Sequence, residues 1–237
     1  MLMKNLKNYF TKTELLIWGL SVTIVLFSFF LLDGKNYLSL SASLIGVTSL
    51  VLNAKGNPVG QALTVVFSVI YGIISYSYSY YGEMITYLGM TAPMAVFSLV
   101  AWIRHPFKGK KAEVEVNELT AKEYFLAAVL AIVITILSYF VLEHFETTNL
   151  LISTISVTTS FAAVYLTFRR SPYYAIAYAA NDIVLIILWI LASIENPTYV
   201  SVVVCFVAFF ANDVYGFINW RAISKRQKAA MQSDTES

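Results

Sequence analysis

Long apolar runs, separated by short polar or charged stretches, dominate this chain of 237 residues. The runs are about 20 residues long, the length of a helix that crosses the ~30 Å hydrocarbon core of a bilayer. They predict eight membrane-spanning helices, at residues 14–32, 37–53, 59–81, 84–104, 123–142, 149–168, 173–193 and 198–220. The run from Leu126 to Leu142 is continuous and lacks the alternation of a membrane β-strand. The predicted fold class is therefore an all-α integral membrane protein.

Composition narrows the function classes. Of the residues, 58% are hydrophobic and only 13% are charged, and the net charge is +2. The basic residues form short clusters at predicted membrane edges, so nucleic acid is not an expected partner whereas the lipid bilayer is. Cys205 is the single cysteine, and His105 and His144 fall in loops on opposite sides of the predicted membrane. Because no metal or catalytic constellation and no glycine-rich phosphate loop is recognisable, we expect no cofactor, no enzyme and no ATP-driven pump.

The basic residues also predict the topology. With the N-terminus inside, 15 of the 16 Lys and Arg residues lie on the cytoplasmic side and only Lys35 lies outside. The first apolar run, from Leu15 to Leu32, is long enough to span and is not followed by a small-residue cleavage site, so we interpret it as a retained helix rather than a signal peptide. The sequence thus predicts a multi-pass protein of the cell's inner or plasma membrane with both termini in the cytoplasm.

Two parts of the chain resemble each other. Lys55-Gly56-Asn57-Pro58 opens the third predicted span, and Arg169-Arg170-Ser171-Pro172 opens the seventh. Each is followed by a long helix, an acidic turn and a helix that ends in Trp close to Arg. The offset of four spans gives both triplets one orientation, with 123–142 as linker, which predicts a parallel 3+1+3 repeat preceded by an extra N-terminal helix. The predicted units are 1–36 (N-terminus and extra helix), 37–221 (transporter core) and 222–237 (cytoplasmic tail).

Polar residues recur on one face of the third and seventh predicted spans. In the third span, at spacings of three and four residues, they are Gln61, Thr64, Ser68, Tyr71, Ser75 and Tyr78. In the seventh span they are Tyr174, Tyr178, Asp182 and Trp189. Both stripes are predicted to face inward, because lipid contact would penalise them. The alternative for the hydroxyl residues is that they only join helices, at about 0.6 kcal/mol for each bond.

Two carboxyl groups lie deep in the predicted membrane. Asp182 and Asp213 each follow an Asn in an Ala-Asn-Asp triplet, roughly nine residues or about 13 Å from the cytoplasmic end of the helix. No Lys or Arg lies at that depth, which leaves a water-lined cavity, a bound polar solute or a protonated carboxyl. The alternative is a buried network with neighbouring Asn residues. A second inward stripe is predicted on the eighth span, formed by Asn212, Tyr215 and Asn219.

Several short motifs between about Ser43 and Arg221 carry a family resemblance through their order and spacing. They are Ser43-Leu44-Ile45-Gly46, Gly60-Gln61, Tyr71-Gly72, Tyr81-Gly82-Glu83, the helix from Pro93 to Trp102, an Asp within the penultimate helix, and Gly216 to Trp220-Arg221. The sequence resembles the Pnu family of bacterial vitamin transporters, whose best-known members carry nicotinamide riboside. The resemblance implies facilitated diffusion and a cytoplasmic kinase that traps the solute by phosphorylation.

One departure from the family pattern leaves the solute open. The members that carry nicotinamide riboside have Trp-x-x-Trp in the penultimate helix, followed four residues later by Asp or Asn. The corresponding positions here are Ala175 and Tyr178, with Asp182 in the acidic place. Tyr178 preserves one aromatic platform. Nicotinamide riboside, thiamine and a nucleoside each suit a pocket with one aromatic shelf and several polar groups.

The sequence therefore predicts a transporter for a small aromatic vitamin-like solute, with nicotinamide riboside as the leading candidate. Tyr178 and Trp189 are predicted to contact the ring. The predicted polar contacts are Asp182, Asn181, Gln61, Tyr71 and Asn212, and Asp213, Tyr215 and Asn219 complete the candidate site. The alternatives are a thiamine or (deoxy)nucleoside transporter of the same family and a non-transporting membrane sensor, which the short loops disfavour. A homo-oligomer is compatible with the sequence.

The basic asymmetry makes the topology testable. Reporter fusions after Ser237 and within 108–118 should both register as cytoplasmic, and a fusion near Glu143 should register as external, because the basic loops stay inside. A C-terminal fusion that registers as external would contradict the eight-helix topology.

Overall fold

The computed structural model describes residues 9–33, 36–77, 81–195 and 197–235. Within these ranges the α-helices are α1 Lys12–Ser28, α2 Tyr37–Ala54, α3 Pro58–Ser77, α4 Tyr81–Ile85, α5 Ala92–Arg104, α6 Ala121–His144, α7 Leu150–Phe168, α8 Tyr174–Glu195 and α9 Val200–Thr235. Short π-helical segments follow α1 and α4, at Phe29–Asp33 and Thr86–Thr91, and a 3₁₀ turn, Pro197–Tyr199, precedes α9. The described part contains eight stretches long and apolar enough to span a membrane, which confirms the predicted number.

The fourth of these spans is a composite of α4, the π-helical segment and α5. Pro93 lies in the first turn of α5, where its missing N–H removes a hydrogen bond to the preceding turn. A π-helical turn, with its wider i to i+5 bonding, is the local adjustment that accommodates such a gap. The Thr91 hydroxyl contributes by donating to the Thr86 carbonyl at 3.2 Å. The predicted helix from residue 84 to 104 is therefore continuous but not uniformly α-helical.

Six spans form a closed ring. In order around the ring they are α2, α3, the α4–α5 span, α7, α8 and α9, and α9 closes the ring against α2. The two remaining spans lie outside it: α1 packs against α2 and α9, and α6 packs against α7. Only 6% of the most apolar window of α6 is buried, as expected for a linker that faces lipid. This order is the one that a parallel 3+1+3 repeat requires, although the repeat itself remains a prediction.

The same end of the bundle carries every basic residue of the described ranges, and we call it the basic end. Two tryptophans tie the ring together there. The Trp220 indole donates to the Asn53 carbonyl at 2.8 Å, joining α9 to α2, and the Trp102 indole donates to the Thr167 carbonyl at 3.0 Å, joining α5 to α7. Both indoles are fully buried and their rings lie 5.4 Å apart. Each Trp thus satisfies a carbonyl of the last turn of a neighbouring helix.

Two matching turns connect helices at the basic end. Gly56 and Arg170 both adopt positive φ, 68° and 57°, just after α2 and α7 end. A hairpin, β1 Pro106–Phe107 and β2 Lys110–Val114, with its following strand-like segment, crosses both turns. The Val114 N–H donates to the Gly56 carbonyl at 2.9 Å, and the Asn117 N–H donates to the Arg170 carbonyl at 3.0 Å. The charged 105–122 segment, predicted only as a loop, therefore seals the basic end.

The N-terminal segment is fixed to the basic end by Glu14. Its carboxylate forms a buried ion pair with Lys55 at 2.9 Å and accepts a bond from the Tyr215 hydroxyl at 3.3 Å. It also closes a capping box with Thr11 at the start of α1. The extra N-terminal helix predicted from the sequence is consequently anchored to both α2 and α9.

The last span is longer than predicted. The apolar pattern predicts an end near residue 220 and a tail at 222–237, whereas α9 continues to Thr235. The extension packs on the hairpin, because the buried Gln227 amide donates to Glu113 and to the Val114 carbonyl and accepts from the Val116 N–H at 2.9 Å. Hydropathy defined only the membrane part of this helix, so the polar extension was missed.

Gln227→Leu should destabilise the folded protein. The replacement retains most of the volume but leaves the Val116 N–H and Val114 carbonyl without side-chain partners, at about 1–3 kcal/mol for each orphaned group. We expect a lower unfolding temperature in detergent, and we expect Ser233→Ala, an exposed change on the same extension, to leave it unchanged. Equal unfolding temperatures for both variants would show that the hairpin contact is not stabilising.

Candidate functional site

A narrow cavity of about 70 Å³ lies inside the ring, and we call it the central cavity. Its lining comes from all six ring spans: Gly46, Ser49, Leu50, Asn53, Thr64, Phe67, Tyr87, Thr91, Ser160, Val164, Tyr174, Tyr178, Asn181, Asp182, Phe206, Phe209 and Asp213. A water molecule needs roughly 10–15 Å³ of such space, so the cavity is wide enough for several waters or a small solute group. One wall is polar and the other is aromatic.

Two carboxyl groups dominate the polar wall. Asp182 on α8 and Asp213 on α9 are each 4% exposed and close enough to interact directly. Neither takes part in an ion pair in the described ranges, and the Oδ2 atom of Asp182 has no hydrogen-bond partner there. An unpaired carboxylate at this depth is costly. The pair is therefore the group in this wall most in need of a partner from solvent or solute.

Asn181 sits next to the carboxyl pair and is held by α7. Its Oδ1 atom accepts bonds from the Thr159 hydroxyl at 2.8 Å and from the Ser160 hydroxyl at 3.0 Å. Both hydroxyls donate to the carbonyl oxygen of the amide, and Asn181 is part of the cavity lining beside Asp182. The two bonds fix the orientation of the amide group.

The aromatic wall is formed by residues of four helices. Tyr178 lies one turn from Asp182 on α8, and the Tyr174 ring packs against it with centroids 6.1 Å apart. Phe67 of α3 contacts Tyr87 edge to face at 5.9 Å and Phe209 of α9 at 5.9 Å. Aromatic rings in the lining of a cavity suit a flat ring that stacks on them or meets their edges.

Four of the predicted site residues line the central cavity: Tyr178, Asn181, Asp182 and Asp213. Gln61 is one contact removed, since its amide donates to the cavity-lining Asn53 at 2.8 Å. Tyr71 packs on Tyr87 with centroids 4.5 Å apart but lines a different cavity. Trp189, two turns from Asp182, also lies outside the central lining, with its ring on Tyr199 at 5.4 Å. Tyr78, from the predicted stripe of the third span, lies outside the described residues.

The predicted inward stripe of α9 faces α1 and α2 instead of the cavity. The Asn212 amide donates to the Ser21 hydroxyl of α1 at 2.8 Å, and the Tyr215 hydroxyl donates to Glu14. The Asn219 amide donates to the Ala54 carbonyl of α2 at 2.8 Å. These three residues do share a face, as their spacing predicts, but that face packs on protein. These three residues therefore join helices, and the prediction that they contact the solute is corrected.

Sequence reasoning missed several lining residues. Asn53, Ser49 and Gly46 lie on one face of α2, at spacings of three and four residues, and this small polar face was a readable signal. Ser160 and Thr91 were not selected, because single hydroxyl residues in a span usually bond to their own backbone. Phe67, Phe206 and Phe209 gave no signal, because aromatic residues in apolar runs are common.

Two further cavities open toward the end opposite the basic end. The first, about 50 Å³, lies between α1, α2, α3 and α9, and its lining includes Ser39, Ser43, Ser201 and Cys205. The second, about 240 Å³, lies between the fourth span, α6, α7 and α8 and is acidic, since its lining includes Glu83, Glu146 and Glu195. We call them the serine cavity and the acidic cavity. No group of three His, Cys, Asp or Glu side chains suited to a metal is found in the described part of the chain.

A ring of apolar spans around a buried polar and aromatic cavity defines the class of a helical membrane transporter. The family model described as the nicotinamide mononucleotide transporter matches residues 36–222. The chain belongs to this transporter family, which is the Pnu family that its motifs resemble, and it is therefore a transporter rather than an enzyme.

Two individual relatives support the assignment to this family. The nicotinamide riboside transporter PnuC of Neisseria mucosa is 26% identical over 215 residues, which cover 89% of this chain and 81% of that protein. A crystal structure of the vitamin B3 transporter PnuC matches with a TM-score of 0.80 at 25% identity, over 92% of this chain and 94% of that one. The fold of the whole described bundle is thus the fold of this family.

Proposed function

We propose that the protein carries nicotinamide riboside or a closely related aromatic vitamin across the cell membrane by facilitated diffusion. The supporting observation is the central cavity, where two carboxyl groups and several aromatic rings share one lining and neither carboxyl group has a basic partner among the described residues. The names of the relatives, which refer to nicotinamide riboside and vitamin B3, support the same solute class.

The chemistry of the cavity suits this solute. The nicotinamide ring of the riboside is flat and positively charged, so it fits between aromatic faces and is attracted by a nearby negative charge. Tyr178 is placed to contact the ring, while Asp182 accepts hydrogen bonds from hydroxyl or amide groups. Asn181 presents donors beside them. Asp213 adds a second acceptor and a second negative partner for a cation.

The aromatic part of the site differs from the pattern expected of nicotinamide riboside carriers. Ala175 has no ring to offer the solute, and it is fully buried in the cluster around Trp220 at the basic end. Tyr174 lines the cavity and supplies the missing aromatic surface from the adjacent position. Because the aromatic part differs in this way, thiamine, which also carries a positive ring, remains the second candidate. Neutral (deoxy)nucleosides would gain less from the two carboxyl groups.

The cellular context of the proposal follows the family. We place both termini in the cytoplasm, with the basic end inside, in accordance with the distribution of basic residues. A cytoplasmic kinase that phosphorylates the entering solute would keep the gradient directed inward. Assembly into a homo-oligomer is compatible with the proposal and is not needed for it, because all six ring spans of the cavity come from one chain.

Uptake into proteoliposomes tests the solute and the energetics together. With a labelled panel of nicotinamide riboside, thiamine and nucleosides, we expect saturable uptake of nicotinamide riboside that equilibrates and needs neither ATP nor a proton gradient. Empty liposomes and an excess of unlabelled solute are the controls. Accumulation above the external concentration, driven by an imposed pH gradient without a trapping enzyme, would contradict facilitated diffusion. Selective uptake of another panel member would show that this other compound, and not nicotinamide riboside, is the solute.

Asp182→Ala should weaken solute binding by about ten- to a hundred-fold, since loss of a charged hydrogen-bond partner costs about 1.5–3 kcal/mol. The protein should remain folded, because the change removes a buried carboxyl that lacks a basic partner. Isothermal titration or competition binding on purified protein measures the affinity.

Asn212→Ala is the matched control. It also shortens a buried polar side chain in an Ala-Asn-Asp triplet, but it faces α1, so we expect near-normal affinity and lower stability. If Asp182→Ala binds the solute normally while aggregating in detergent, Asp182 is a structural residue and the site is misplaced.

A further inference from the structure

Three phenylalanines separate the central cavity from the serine cavity. Phe67, Phe206 and Phe209 are the residues that line both cavities among the described ranges. All three are buried, and Phe209 touches the other two edge to face, at centroid distances of 5.9 Å to Phe67 and 5.7 Å to Phe206. The two cavities therefore meet at this aromatic partition, with Phe209 at its centre.

Helix α2 provides a small, polar surface along this path. Ser39 and Ser43 line the serine cavity, and Ser49 and Asn53 line the central cavity on the same helical face. Between them lies Gly46, which has no side chain. A Cβ atom built there would lie 2.8 Å from Cζ of Phe209 and 3.2 Å from two ring carbons of Phe67. The glycine thus leaves room for the rings of Phe67 and Phe209 between the two cavities.

The acidic cavity offers no comparable connection. It is larger, about 240 Å³, yet it shares no described lining residue with the central cavity. Trp189 belongs to its wall, and Leu185, which lies between Trp189 and Asp182 along α8, is buried in the same packed cluster as Trp189. Of these two cavities, the serine cavity is the one that shares described lining residues with the central cavity, so the partition is the more direct connection.

We propose that Phe67, Phe206 and Phe209 form the gate between the central cavity and the end of the bundle opposite the basic end, and that the solute passes through the serine cavity. The passage of the solute rests on the proposed function, but the gate is a property of the empty protein. At the other end, the buried cluster of Trp102, Trp220 and Tyr174 closes the central cavity under the hairpin. Phe209 is the central gating residue, because it contacts both other rings and α2.

Cysteine accessibility in lipid nanodiscs tests the gate without any solute. The background is Cys205→Ser, which removes the single native thiol, and the reporter is Ser49→Cys in the wall of the central cavity. Phe209→Ala should accelerate labelling of the reporter by a small uncharged maleimide about tenfold or more, since loss of the ring removes an opening cost of about 1.4 kcal/mol or greater. Phe209→Leu, a milder truncation, should give a smaller acceleration. It serves as the test variant if Phe209→Ala does not stay monodisperse.

Two control variants make the result specific. Phe161→Ala truncates an equally buried phenylalanine of α7 that lines none of the three cavities, so it should leave the labelling rate unchanged. Trp189→Ala opens the wall of the acidic cavity and should also leave it unchanged. Unchanged labelling in both Phe209 variants, equal acceleration by Phe161→Ala, or acceleration by Trp189→Ala alone would each overturn the gate. Because no solute is used, such a failure is independent of the outcome of the uptake panel.

Discussion

A polar group inside the hydrocarbon region must find its partner within the protein, and this constraint organises the whole bundle. Most hydroxyl residues bond back to a carbonyl of their own helix, as Thr154 does to Leu150 at 2.8 Å. The buried amides pair across helices, Gln61 with Asn53 and Asn181 with α7. Asp182 and Asp213 interact with each other and with no basic group of the described chain. The central cavity is thus marked by two buried carboxyl groups, and the Oδ2 atom of Asp182 has no hydrogen-bond partner in the described ranges.

The ring of spans is held together at the basic end. Trp220 and Trp102 make equivalent bonds to the last turns of α2 and α7, and one hairpin bonds to both turns that follow. Opening this end requires buried indole bonds and hairpin bonds to break together, since they share one packed cluster. At the opposite end, Phe67, Phe206 and Phe209 lie between the central cavity and the serine cavity. A movement that opened one end of the bundle while it closed the other would therefore break different interactions at each end.

The eight spans could be predicted because length and hydropathy are local properties, and the basic loops fixed their alternation. The lining of the central cavity was predictable in part. Asp182, Asp213 and Tyr178 stood out by residue type and spacing, and they do line one cavity. Periodicity identifies the residues that share a face but not the neighbour that the face meets, which is why Asn212 was placed in the site. The hairpin, the extension of α9 and the phenylalanine partition depend on contacts between distant segments, which a single sequence does not encode visibly.

The two Ala-Asn-Asp triplets explain how the carboxyl pair is aimed. Consecutive residues of a helix differ by about 100° in direction, so each Asn and the Asp that follows it face different neighbours. In α8 the Asn bonds to α7, and in α9 the Asn bonds to Ser21 of α1, while both Asp residues face the cavity. Each Asn therefore fixes the rotation of its helix and with it the direction of the carboxyl group. Helix α1 lies outside residues 36–222, the part matched by the family model. It nevertheless accepts the bond from Asn212, the neighbour of Asp213, and so it helps to orient this side of the candidate site.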